Sequence, residues 1–120
     1  MENDIFTLLP DSRWQVLFSD PGSWRTGLYR PEHDAAGKVK VLEKHSCPEL
    51  FVCMGGKTGL IVKNGTEEQI LELAPGQARL VTGYHNGYAI DPEGFFLVVE
   101  MRIFSWVVPA EKKPGMAKVK

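Results

Sequence analysis

The segment EKHSCPELFVCMGG, Glu43 to Gly56, sets two carboxylates, an imidazole and a thiol at alternate positions within seven residues. Read with the period of two of an extended chain, Val39, Val41, Glu43, His45, Cys47, Glu49, Phe51 and Cys53 share one face. Lys38, Lys40, Lys44 and Ser46 fall on the other. The first face is apolar at both ends and ionisable in its middle. Buried carboxylates without a partner are costly, so Glu43, His45 and Glu49 inside an apolar stripe require a compensating positive charge, which a divalent metal supplies. The alternative is a surface turn at Cys47-Pro48-Glu49 with solvated charges, because proline within a strand marks an edge or a bulge.

Outward from this segment the chain reads as short strands. WQVLFS, WRTGLYR, VKVLEKH, LFVCM, GLIVK, QILEL, ARLV and FFLVVEMRIF are rich in β-branched and aromatic residues, and Pro, Gly, Asn and Asp clusters separate them. No segment carries a clean helical stripe, so the expectation is an all-β sandwich or barrel. Lys63-Asn64-Gly65-Thr66 is a hairpin signal, since Asn-Gly tolerates positive φ in a two-residue turn. FFLVVEM suits a strand covered on both faces, and its Glu100 then needs a partner such as Arg102 or a neighbouring sheet. The end from Pro109 to Lys120, with four lysines, reads as a solvated or loosely packed tail.

Composition narrows the partners. With 14 basic and 15 acidic side chains among 120 residues, no bulk field draws nucleic acid or anionic lipid. No apolar run approaches the roughly 18 residues of a membrane span, and MENDIFTLLPDSRW lacks the pattern of a signal peptide. The expectation is a cytoplasmic chain with Cys47 and Cys53 reduced, bound by no nucleic acid and no membrane, whose partner is a small-molecule ligand or substrate. In that setting Asn64-Gly65-Thr66 is a turn and not a glycosylation acceptor.

The spacing of the opening segment resembles the first motif of the cupin superfamily. Gly37, five residues, Glu43, one, His45, three, Glu49, six, Gly56 reproduces each of its intervals. Glu43 stands where that family has its first metal-binding histidine, while His45 and Glu49 fall on the second histidine and the glutamate. The second motif is looser. Pro75-Gly76 precedes VTGYHNGYAI, Thr82 holds the family's proline position, and His85 follows after a shortened interval.

The resemblance implies a double-stranded β-helix, the jelly-roll cupin barrel, as one domain over 1–120. The core barrel would span about 37–105, with N-terminal strands over 5–30 and a tail over 109–120. It implies a metal held by His45, Glu49 and His85, with Glu43 as a fourth ligand or as a free general base. Such a set accepts iron, manganese, nickel, cobalt or zinc. The implied function is a metal-dependent enzyme acting on an oxygen-rich metabolite, a sugar derivative or a keto- or hydroxy-acid, by isomerisation, decarboxylation or dioxygenation. A non-catalytic ligand- or metal-binding module is the alternative.

Several residues complete this reading. Cys47 faces the same cavity, as a small core residue or a soft ligand. His33 sits among turn residues and is exposed. Tyr84 and Tyr88 flank His85 and either orient a substrate or cover a strand. Arg25 and Arg30 either aim a cation at an anionic ligand or pair with surface carboxylates. GGKTG is not a phosphate loop, because Phe51 takes the place of its leading glycine and a strand follows. The apolar segment Ile5 to Phe18, with Trp14, extends onto a neighbour in a homodimer or completes its own barrel.

Overall fold

The computed structural model describes residues 5–20, 23–101 and 105–110. Ten strands are present: β1 Trp14–Ser19, β2 Arg25–Tyr29, β3 Val41–His45, β4 Glu49–Met54, β5 Thr58–Asn64, β6 Glu67–Leu73, β7 Ala78–Val81, β8 Tyr84–Ala89, β9 Phe95–Glu100 and β10 Ser105–Pro109. They form two antiparallel five-stranded sheets, β1-β2-β9-β4-β7 and β10-β3-β8-β5-β6. The expected all-β jelly roll is therefore the fold, and β1 pairs with β2 of its own chain. Among the described residues the one helical element is a 3-10 turn at Ala36–Lys38, and no helix is long and apolar enough to cross a membrane.

Two apolar clusters fix how the sheets lie. Phe51, Leu60, Val62, Val81, Phe96 and Val98 fill the space between them, with Tyr29, Leu71 and Leu73 packed around. Val39, Leu42, Ile61 and Tyr88 form a second cluster on the outer face of the second sheet, covered by Ala36, Val108 and Ala110. Strand β5 is buried on both faces as a result. So is most of β9, whose continuous apolar run sits between β2 and β4.

Three expectations are corrected in detail. The hairpin forms, but Asn64 pairs with Glu67, so the turn residues are Gly65 and Thr66. Only Gly65 has positive φ (65°), as in a type II′ turn, which leaves Asn64 in the strand. FFLVVEMRIF is not one strand: β9 ends at Glu100, and Arg102, offered as its partner, lies outside the described residues. Pro109 is exposed but belongs to β10, and Ala110 packs on the second cluster, so the tail begins in a strand; residues 111–120 lie outside the described residues.

Strands β3 and β8 share a single register pair, Glu43 with His85, and then diverge. The Asn86 side chain replaces the missing ladder. Its Nδ2 donates to the Val41 carbonyl at 2.9 Å, and its Oδ1 accepts from the Tyr29 hydroxyl and the Gly87 amide, both at 2.8 Å. Gly87 is required here, because a Cβ would stand 2.8 Å from Phe96 Cε2 and 3.0 Å from Tyr29 Cε2. Gly87→Ala should therefore destabilise the fold by about 1–3 kcal/mol through overpacking, as a fall in the urea midpoint with unchanged m-value.

Candidate metal centre

The inner face of the first sheet is built in rows. Tyr29, Phe96 and Cys53 form one, and Gly27, Val98 and Phe51 the next. The register that pairs Leu50 with Val99 and Arg25 with Glu100 then sets Arg25, Glu100 and Glu49 side by side. Like charges directly opposite one another destabilise a sheet, and here Glu49 is 1% and Glu100 4% exposed. Facing them from the second sheet are His45 on β3 and His85 on β8. Together these residues line a cavity of about 690 Å³, whose lining also includes Trp14, Tyr29, Val41 and Glu43.

The contacts are close. His45 Nδ1 meets a Glu49 oxygen and lies 3.1 Å from Glu100 Oε1, while His85 Nε2 lies 2.7 Å from Glu49 Oε1. Arg25 Nε and Nη2 both reach Glu100 Oε2, at 2.6 and 2.5 Å. Yet His45 Nδ1 and both Glu49 oxygens are sealed from solvent without a hydrogen bond of acceptable direction. The His85 ring sharpens the point. Its Nδ1 donates to the Gly83 carbonyl at 2.9 Å, so Nε2 of a neutral ring turns a lone pair on Glu49. Two lone pairs at that distance require a proton or a metal ion between them, and a ring held from behind by a carbonyl is how metal-ligating histidines are oriented. Ligand atoms of His45, Glu49 and Glu100 lie within 4.8 Å of one another, so the residues fit a divalent ion.

Without an ion the charge is met by protons. Glu100 and then Glu49 raise His45 to about 10 against the opposing effect of burial. Burial pushes the Glu49 carboxyl up, but its contacts with His45 and His85 outweigh it and hold the group well below the usual carboxylate range. Burial also lifts Tyr29 to about 12, which keeps its hydroxyl a donor at neutral pH.

No family model matches the sequence, and no curated protein matches it. Solved structures do match in shape. A cupin-2 domain protein of Shewanella frigidimarina superposes with a TM-score of 0.56 at 18% identity, over 74% of this chain and 79% of its own. A Klebsiella pneumoniae protein with a double-stranded β-helix domain reaches 0.63 at 16% identity, over 92% of this chain and 100% of its own. The chain has the cupin fold. A third neighbour, the cobalt(II) form of HppE in complex with substrate, gives 0.64 at 15% identity over 81% of this chain, which spans 58% of that protein.

Within the cupin fold, the first-motif residues part company. The stretch does not run through as one extended face: a bend at Ser46–Pro48 carries the chain from β3 in the second sheet to β4 in the first. Both readings of the stretch hold in part, since Cys47 and Pro48 form the turn while Glu49 is buried in the strand beyond it. Cys47 is a correction. It lies in that bend, with Sγ 3.9 Å from the Met101 carbonyl, and does not line the cavity. His45, Glu49 and His85 are brought together, whereas Glu43 stays at the rim with its side chain 49% exposed and Oε1 3.6 Å from His45 Nε2.

Tyr84 and Tyr88 do not reach the cavity. Tyr88 is buried in the outer cluster, and Tyr84 packs there beneath Lys44. His33 is half-buried at the cavity rim, not fully exposed. Arg30 donates to the Pro10 carbonyl at 2.9 Å, and Arg25 pairs with a buried carboxylate, not a surface one. Sequence reasoning missed Glu100 and Tyr29 as cavity residues. The available signal was a lone carboxylate ending the apolar run FFLVVE.

The shifts fix a pH dependence for the metal-free protein. His45, raised from its ordinary 6.5, contributes fully below about pH 6.5 and loses that contribution as pH climbs toward 10. Glu49, lowered from 4.5, contributes above about pH 4.5 and loses it as pH falls. The melting temperature of chelator-treated protein should therefore peak between roughly pH 5 and 6.5. His45→Gln should flatten the alkaline limb; a limb left unchanged in that variant excludes His45 as its source.

Proposed function

We propose that this chain is a small metal-dependent cupin acting on an oxygen-rich metabolite, a sugar derivative or a keto- or hydroxy-acid. The observation that carries it is the buried Glu49–Glu100 pair with the His85 lone pair turned on Glu49, an approach of two lone pairs that a metal ion between them would relieve. His45, Glu49 and His85 are the ligands, and Glu100 adds a second carboxylate. Two imidazoles and two carboxylates suit manganese or iron, and cobalt, nickel and zinc are accommodated. When bound, the ion supplies Lewis acidity that polarises substrate oxygens and acidifies the adjoining C–H or O–H bond.

The chain's own groups do the rest. Glu43, at the rim and in solvent contact, is a general base and not a fourth ligand: it takes a proton from a substrate lying across the cavity mouth. Tyr29 and Asn86, bonded to each other, also line the cavity, and the second N–H of Asn86 Nδ2 is left to hold a substrate oxygen. Proton transfer at this position serves isomerisation or decarboxylation, and an open ion serves dioxygenation. A second reading, an ion that ties the barrel together without catalysis, is favoured by the origin of the ligands, which come from strands of both sheets.

Protein purified without chelator should carry about one transition metal per chain by elemental analysis. His45→Ala and Glu49→Gln should lose it, and Glu43→Gln should retain it while losing about 10²-fold or more in turnover. Failure to take up any of iron, manganese, nickel, cobalt or zinc would sink the metal reading. The homodimer rests on the exposed apolar Ile5, Leu9, Val16 and Phe18, and light scattering at micromolar concentration giving a monomer mass would remove it.

A further inference from the structure

Resting on the metal reading above, we propose that the cavity takes a small α-hydroxy or α-keto acid and not a neutral sugar. Its carboxylate docks on Arg25, and the oxygen on the neighbouring carbon faces the His45–Glu49 end. The first support is the way Arg25 is spent. Nε and Nη2 converge on one oxygen of Glu100, which uses two of the five N–H donors of the guanidinium. Nη1 has no hydrogen-bond partner among the described residues, and the side chain is 26% exposed on the cavity wall. A planar donor edge next to the ion position is a carboxylate receptor, because the fork matches two carboxylate oxygens.

The second support is that the edge is held in place. The Trp14 ring lies 5.3 Å from the Arg25 guanidinium carbon, a cation–π stack. That ring can lie there only because residue 27 is glycine; a Cβ would stand 2.7 Å from Trp14 Cη2.

The third is charge. Arg13 is paired with Glu32 at 2.9 Å, while Lys40, at the same rim, has no ion pair among the described residues. With a divalent ion in place, three cationic side chains face four carboxylates in the cavity lining, and one net positive charge remains. A neutral polyol leaves both that charge and the free guanidinium edge unmet. A monocarboxylate meets both.

The test is calorimetric binding to the Mn²⁺-loaded full chain of three probes of similar size: lactate, lactamide, which keeps the hydroxyl and loses the charge, and propionate, which keeps the charge and loses the hydroxyl. Lactate should bind at least tenfold more tightly than either. Arg25→Lys keeps a cation beside Glu100 but loses the planar edge, so at unchanged manganese content it should reduce the lactate-to-lactamide preference about tenfold. Equal binding of lactate and lactamide overturns the proposal from the wild-type protein alone, even if the variant does not fold. Equal binding of lactate and propionate overturns the hydroxy-acid assignment and leaves a bare anion site. Wild-type protein that takes up no manganese overturns the metal reading and this one with it; uptake without discrimination overturns this one alone.

Discussion

Two carboxylates set side by side in an apolar interior are the constraint around which this chain is arranged. The register of β4 against β9 forces Glu49 and Glu100 together, and nothing in the first sheet alone can neutralise both. Arg25 takes one oxygen of Glu100 from the same row, and the remaining charge must be met from across the barrel. His45 does this from the second sheet, and His85 turns its Nε2 on Glu49 beside it, so the electrostatic requirement of one sheet dictates the composition of the other. A buried ionic group of this kind is weak as a source of stability.

The apolar rows beneath it explain why the charges sit where they do. Phe51 packs edge-on against both His85 and Phe96, with ring centroids 5.1 and 5.3 Å away, and closes the floor of the cavity. Tyr29 stacks on Phe96 and sends its hydroxyl up to Asn86 at the point where β3 and β8 part. The polar row therefore rests on close-packed aromatic rings. That geometry is what lets a few short contacts shift His45 and Glu49 so far from their ordinary ionisation.

Much of this was legible in the sequence, and the reasons for the rest are physical. Strand positions follow from β-branched and aromatic runs broken by turn residues, and eight of the ten strands overlap segments read that way; β10, Ser105–Pro109, begins one residue past the run FFLVVEMRIF and was not read as a strand. Strand β8 was visible only as a return strand bearing His85, because YHNGYA carries two poor strand formers at its centre. His45 and Glu49 are neighbours in sequence, so spacing alone brings them out. Glu100 and Arg25 lie 75 residues apart, and their pairing depends on a strand register that no local pattern encodes. Cys47 was misplaced for a related reason: a period of two cannot show where a chain leaves one sheet for the other, and Pro48 marks that exit.

One strand that contributes to the cavity wall lies at a sheet edge. Trp14 belongs to β1, which among the described residues has β2 on one side and no strand on the other. Its register against β2 is interrupted between Val16 and Phe18, so the ladder is already broken once along its length. An edge held from one side opens at lower free energy than any interior strand. Because Trp14 also lines the cavity, fraying of this sheet margin would open the cavity wall, and tightening the margin would hold that wall shut as surely as it would raise the melting temperature.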